Sequence, residues 1–119
     1  RNPANQFVAD FVGKINFIDG TASEGKIEFA GGQRMNYSGE KRGNVVVAIR
    51  PENMIMRMDR GILRGKMLHE YYLGDVNDCR VDLDGTTLRV ILSGSTYGKF
   101  RIGGEVWLDF DEYLVFART

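Results

Sequence analysis

The feature that most constrains the fold is the brevity of the apolar runs, which glycine, aspartate and asparagine interrupt along most of the chain. Fifteen glycines among 119 residues supply turn residues between these runs. The runs themselves are rich in β-branched and aromatic side chains, which favour strands. Many short strands joined by close turns are typical of a β-barrel or sandwich. We therefore predict an all-β fold.

Ten strands are predicted after residue 14. They are expected near Gly20–Ser23, Lys26–Phe29, Gln33–Tyr37, Asn44–Arg50, Met54–Met58, Ile62–Leu73, Asn77–Leu83, Leu88–Leu92, Glu105–Phe110 and Leu114–Ala117. Pro51 should end the fourth of these strands, because proline cannot donate to a sheet ladder and biases the residue before it towards extended geometry. A division near residue 60 suggests two intertwined β lobes.

One helix is predicted, over residues 1–13. Asn2 can cap its N-terminus, Pro3 suits the first helical position, and Gly13 suits the C-terminal stop. The spacing of Phe7 and Phe11 places both on one apolar face. A helix this short needs a surface to dock on. The remaining residues, 14–119, are expected to form the β domain.

One hairpin allows two turn lengths. A two-residue turn at Asp84-Gly85 would place Arg80 opposite Arg89, and directly opposed like charges are destabilising. A four-residue loop from Asp84 to Thr87 would instead place Asp82 opposite Arg89. Cross-strand pairing therefore predicts the longer loop.

The composition argues against several functional classes. Sixteen basic residues balance sixteen acidic ones, whereas nucleic-acid binding normally needs a basic surplus or stripe. The apolar runs are far too short to span a bilayer. The sequence contains neither a phosphate-binding Gly-x-x-x-x-Gly-Lys-Ser/Thr loop nor a Gly-x-Ser-x-Gly nucleophile elbow. We therefore expect no enzymatic activity, and nucleic acid is not an expected partner.

The isolated reactive side chains have structural interpretations. Cys79 alternates with apolar neighbours, as a small buried hydrophobe in a strand does. His69, the only histidine, is interpreted as a structural or surface residue. Asp109, Asp111 and Glu112 could attract a hard cation but also form an ordinary solvated turn. We expect no metal site and no cofactor in this chain.

Two segments are candidates for contact with a twin chain or an effector. The first is the loop around Tyr71, Tyr72 and Asp75, in which strand alternation should turn one tyrosine inward and leave at most one free. The second spans residues 93–104 and is predicted to be an exposed aromatic and basic tip. An ordinary mobile hairpin loop explains the second segment equally well. The candidate residues are Tyr71, Tyr72, Asp75, Tyr97, Lys99, Phe100 and Arg101.

Four segments follow one another along the chain: Phe7–Gly13, Asn16-Phe17-Ile18, Ala48-Ile49-Arg50-Pro51-Glu52 and Tyr72-Leu73-Gly74. Their order resembles the TOBE domain, the C-terminal accessory region of ATP-binding subunits from ABC importers. The family shows a Phe-Val-Ala-x-Phe-x-Gly helix end followed by an asparagine, then an Arg-Pro-Glu strand end, then a leucine-glycine. The resemblance covers nearly the whole chain.

The resemblance implies an OB-like β-barrel with a regulatory or dimerising role and no catalysis of its own. ATP and Mg²⁺ would belong to an ATPase domain that precedes this chain. A homodimer, an ABC permease reached through the ATPase domain, and a small-molecule or protein effector are the implied partners, at the cytoplasmic face of the membrane. Arg50, Pro51, Glu52 and Gly74 would be structural, with Arg50 and Glu52 holding the strand end by ion pairs. The alternative is an OB-type module that binds a small anion or single-stranded nucleic acid.

Overall fold

The computed structural model describes residue 11 and residues 13–118, and this part of the chain is all-β, as predicted. The predicted helix of residues 1–13 falls almost entirely outside the described residues. The described residues form ten strands: β1 Asn16–Ser23, β2 Lys26–Phe29, β3 Arg34–Asn36, β4 Gly43–Ile49, β5 Ile55–Arg57, β6 Leu63–Tyr72, β7 Val76–Leu83, β8 Thr86–Ser93, β9 Glu105–Asp109 and β10 Leu114–Ala117. Short 3-10 turns follow β2, β4 and β8. No helix among the described residues has the length and apolar character needed to cross a bilayer.

The strands form two five-stranded antiparallel sheets. The first has the order β10-β4-β1-β2-β3 and the second the order β5-β9-β6-β7-β8. The chain passes from the first sheet to the second at the 3-10 turn Pro51–Asn53, where the strand ends as predicted. It returns at its C-terminal end, where β10 pairs with β4. The first sheet is therefore completed by a strand that follows the whole of the second sheet.

One hydrophobic core lies between the sheets. It is built from inward-facing residues on alternate positions, including Val45 and Val47 of β4 and Val81 of β7. Cys79 is fully buried in this core, as its alternation predicts. Burial, with a smaller contribution from the nearby carboxylates of Glu70 and Asp78, raises the pKa of its thiol to about 11. The thiol therefore stays protonated at neutral pH.

The β7–β8 hairpin corrects one prediction. Its turn is the two-residue Asp84-Gly85, with φ of 49° and 93°, the doubly positive pair that an Asp-Gly hairpin favours. Arg80 does lie opposite Arg89. The predicted longer loop is therefore wrong, because the charges of directly opposed residues do not by themselves decide the register. Asp78, one pair further along the same face, accepts hydrogen bonds from both arginines and compensates their repulsion.

Candidate interaction surface at the hairpin end of the second sheet

The two predicted contact segments meet at the end of the β6–β7 hairpin. Tyr71 and Tyr72 close β6, Leu73 follows in the loop, and Tyr97 comes from the turn after β8. All four side chains are at least half exposed. The rings of Tyr72 and Tyr97 have centroids 5.1 Å apart, inclined at 43°, an offset arrangement that aromatic pairs favour. We call these four residues the tyrosine patch.

Both hairpin tyrosines are exposed, 50% for Tyr71 and 57% for Tyr72, so the expectation that at most one would be free was wrong. Tyr71 pairs with Asp78 and Tyr72 with Asn77, so their side chains point to opposite faces of the sheet. Tyr72 is on the side of the core, but β6 ends beyond the core. Its ring therefore packs against Tyr97, and more than half of the side chain stays accessible.

A polar cluster beneath the patch holds the Tyr97 turn in place. The carboxylate of Glu70 accepts a hydrogen bond of 2.7 Å from Asn77 Nδ2 and bonds of 3.3 Å from the Gly98 amide. Asn77 is fully buried, which makes its bond to the charged carboxylate costly to lose. The turn is thus tied to both strands of the hairpin. Sequence reasoning missed Asn77, an uncharged residue that belongs to neither predicted set of aromatic and charged candidates.

The glycine that opens this turn is required by close backbone approach. The Gly94 amide donates to the Asp75 carbonyl at 2.8 Å. A Cβ atom at position 94 would lie 1.8 Å from the Gly74 carbonyl oxygen. Gly74 itself has a φ of +90°, a conformation suited to glycine. Both glycines therefore serve the contact between the hairpin loop and the Tyr97 turn.

Phe100 corrects the second predicted segment, because its side chain is only 8% exposed and belongs to the core. The following turn is bound to β6: Gly103 N donates to Met67 O at 2.7 Å, and Met67 N donates to Gly104 O at 2.9 Å. These bonds fold the segment back against the sheet and turn the phenyl ring inward. Lys99 and Arg101 are exposed as predicted, and the exposed ring of this segment is Tyr97.

The outer face of the second sheet places charged groups beside Tyr71. Arg80 Cζ lies 5.7 Å from the centroid of the Tyr71 ring, within cation–π range. Hydrogen bonding by Arg89, together with Arg80, holds the pKa of Asp78 below its ordinary value although burial opposes this. The same pairing raises the pKa of Arg89. Asp78 is therefore an ionised carboxylate shared by two arginines.

The same face reaches the junction between the sheets. Asn16, at the start of β1, is 6% exposed. Its amide donates to Arg89 O and accepts from Arg89 N, both at 2.8 Å. Among the described strands β8 pairs with β7 alone, and the Asn16 side chain satisfies backbone groups on the other edge of β8. An asparagine in the inward register of an apolar strand was the available sequence signal, and sequence reasoning used it only as part of the family pattern.

The Arg-Pro-Glu element is not held by the ion pairs that were predicted for it. Pro51 is buried at the passage between the sheets, whereas Arg50 and Glu52 are exposed. Within the described part of the chain, neither Arg50 nor Glu52 forms an ion pair. Glu52 acts at longer range, as the smallest contribution to the raised pKa of Arg89. The predicted ion pairs are therefore not formed among these residues, and the strand end is instead held by the burial of Pro51.

No metal centre is formed by the residues that the structure describes, since no three histidine, cysteine or carboxylate side chains gather closely enough to hold an ion. Asp109, one of the acidic residues considered, instead pairs with Arg57 and accepts the Ile62 amide at 2.8 Å. Its carboxylate thereby ties the segment before β6 to β9.

Comparison with known proteins identifies the family. Residues 47–117 match the TOBE domain, so the chain belongs to the TOBE domain family, as the order of its segments indicated.

Its relatives include import ATP-binding proteins. The chain is 33% identical over 93 residues to the sn-glycerol-3-phosphate import ATP-binding protein UgpC of Ruegeria pomeroyi, covering 76% of this chain and 26% of that protein. It is 32% identical over 120 residues to the spermidine/putrescine import ATP-binding protein PotA of the same organism, covering 92% of this chain and 33% of the relative. The chain thus spans about a quarter to a third of these relatives.

A solved structure shares the fold. The cytoplasmic molybdate-binding protein ModG superposes with a TM-score of 0.69 at 15% identity, covering 87% of this chain and 96% of the other. At that identity the likeness concerns the fold, and it confirms the predicted OB-like arrangement.

Proposed function

We propose that this chain is the non-catalytic regulatory and dimerisation domain of the ATP-binding subunit of an ABC importer. Support comes from its membership of the TOBE family and from relatives that are import ATP-binding proteins. ATP and Mg²⁺ would be bound by a separate ATPase domain of the same subunit. That subunit would act at the cytoplasmic face of the membrane beneath a permease. The relatives carry names for different solutes, so the solute stays open.

The tyrosine patch is the observation that carries the dimerisation role. Tyr71, Tyr72, Leu73 and Tyr97 expose 50–63% of their surface at one end of the second sheet. Tyrosine is enriched at the centres of protein interfaces, where its ring adds contact area at low entropic cost. The hydrogen bonds of Glu70 with Asn77 and Gly98 hold the Tyr97 turn of the patch in place, which reduces the cost of ordering it on binding. We propose a second copy of the chain as its partner.

Sedimentation of this chain over a range of concentrations tests the proposal. The wild type should form a reversible dimer. The double variant Tyr72→Ser/Tyr97→Ser should raise the dissociation constant about tenfold or more, because it removes two aromatic anchors. Met58→Ser is the matched control, since Met58 is 66% exposed in the bend after β5 and lies outside the patch. A strict monomer, or equal weakening by the control, would contradict the proposed interface.

The alternative function is that of an OB-type module that binds a small anion or single-stranded nucleic acid. The fold that the chain shares with a molybdate-binding protein supports the small-anion form of this alternative. Calorimetric titration with molybdate and fluorescence titration with a labelled oligonucleotide separate the two functions. Saturable binding of either probe by a monomeric chain would support the alternative. A dimer that binds neither would support the regulatory domain.

A further inference from the structure

A continuous set of contacts connects the start of the first sheet with the tyrosine patch. Arg89 Nη1 donates to the Gly13 carbonyl at 2.7 Å, and Arg89 Nη2 donates to Asp78 Oδ2 at 2.9 Å. Asp78 Oδ1 accepts from both arginines, from Arg89 Nε at 3.1 Å and from Arg80 Nη1. The guanidinium of Arg80 in turn lies over the ring of Tyr71. We call Arg89, Asp78 and Arg80 the Asp78 bridge.

The geometry of the bridge makes its members interdependent. The Asp78 side chain is only 10% exposed, so its interactions are less screened than those of a surface pair. The guanidinium of Arg89 is a rigid planar fork, and it contacts Gly13 and Asp78 at the same time. A displacement of the Gly13 carbonyl therefore changes the orientation of Arg89, and with it the carboxylate that also positions Arg80.

The shared carboxylate explains why two arginines can lie directly opposite each other. Arg80 and Arg89 are direct cross-strand partners, which would be unfavourable without Asp78. With it, one carboxylate accepts two hydrogen bonds from Arg89 and one from Arg80. The two arginines diverge, one towards the junction and one towards the hairpin end.

We propose that the Asp78 bridge couples the position of residues 13–15 to the tyrosine patch, with Arg89, Asp78 and Arg80 as positioning residues for Tyr71. The regulatory consequence rests on the proposed function of the patch as an interface. A shift of the backbone at Gly13 would release Arg89, leave Asp78 to Arg80 alone, and alter how Arg80 holds the Tyr71 ring. The two ends of the bridge would thereby bias each other, as coupled sites must.

Nuclear magnetic resonance of the Tyr71 ring tests the coupling in the full 119-residue chain. Arg89→Lys keeps the charge but lacks the fork that contacts two partners at once. It should shift the Tyr71 ring signals, although Arg89 does not touch that ring. In Arg80→Lys the additional change Arg89→Lys should have no further effect on Tyr71, because the connection is already broken. Arg64→Lys is the control: Arg64 lies 5.7 Å from the Trp107 ring, so only Trp107 signals should move.

Unchanged Tyr71 signals in folded Arg89→Lys, with shifts confined to Lys14 and Asn16, would overturn the proposal. The reverse experiment covers the case in which Arg89→Lys does not fold. Tyr71→Leu alters a half-exposed residue and should shift the amide signals of Lys14 and Ile15 at the other end. Tyr97→Leu alters a ring that is 56% exposed and packs against Tyr72 instead of a bridge residue, and it should leave these signals unchanged. Equal shifts in both variants, or none in either, would also overturn it.

Spectra recorded at concentrations where the chain is monomeric separate this test from that of the interface. If the chain dimerises but shows no coupling, the proposed coupling is rejected and the proposed function stands. If the chain shows coupling but never dimerises, the coupling stands and the proposed interface is rejected.

Discussion

Two regions, the junction between the sheets and the hairpin end of the second sheet, break the rule that polar side chains are exposed and apolar ones buried. They break it in opposite ways. At the junction polar groups are buried: Asn16 and Asp78 are both less than a tenth exposed. At the hairpin end large apolar groups are exposed, including Tyr72 and Leu73. A buried polar group must be satisfied to be tolerated, whereas a cluster of exposed apolar groups marks a contact surface. The first region therefore serves stability, and the second is the surface that we propose for binding.

The largest expected effect comes from breaking the junction. Asp78→Ala leaves Arg80 and Arg89 opposed without a carboxylate, and should lower the free energy of unfolding by about 2 kcal/mol, at the lower end for a disrupted pair because both arginines are a third exposed. Urea denaturation measures this. Asp19→Ala removes the exposed pair with Arg118 at 3.5 Å and should change nothing measurable. Equal losses in the two variants would mean that burial does not distinguish the pairs.

A smaller loss is expected where the two regions meet, at the support of the patch. Glu70→Ala removes the acceptor for Asn77 and Gly98 and should cost about 1 kcal/mol. Hydrogen exchange of the Gly98 amide should become faster in the same variant. Glu105→Ala, which removes the exposed pair with Arg64 at 3.6 Å, is the control. Unchanged exchange at Gly98 in Glu70→Ala would show that the turn is held without this carboxylate.

Acid should weaken the junction through protonation of Asp78. The folded-state pKa of Asp78 lies below its ordinary value of 3.8, so the stabilisation by its ionised form is complete above that value. It is lost as the pH falls through the lower folded-state pKa. Unfolding measured from pH 5 downwards should therefore show a decline that Asp78→Asn reduces. A decline of the same size in the variant would assign it to other carboxylates.

The smallest effect on stability is expected at the patch itself. Tyr97→Ser removes a ring that is 56% exposed, and should change the free energy of unfolding by less than about 0.5 kcal/mol. The same substitution contributes to the loss of self-association expected above. Thermal and urea unfolding at concentrations below the dissociation constant give the comparison. A loss near that of Asp78→Ala would mean that Tyr97 serves the fold rather than a partner.

The residues that escaped prediction share one property, which is that distant parts of the chain decide their environment. Phe100 lies between glycines like any loop residue, and its burial follows from the backbone bonds of Gly103 and Gly104 with Met67. Tyr72 has the inward position expected of its strand, but the core ends before it. Asn16 and Arg89 are 73 positions apart, and no local pattern relates them.

The sequence by itself determined the all-β class, the end of β4 just before Pro51, the burial of Cys79 and the family. These rest on alternation, proline and glycine chemistry and segment order, which act over a few neighbouring residues. Only the tertiary structure decided the Asp84-Gly85 turn, the exposure of both hairpin tyrosines and the sharing of Asp78 by two arginines. In each case the outcome depends on a third group that the folded chain brings close, Asp78 beside the opposed arginines and Tyr97 beside Tyr72. Pairwise rules applied along the chain do not include that group.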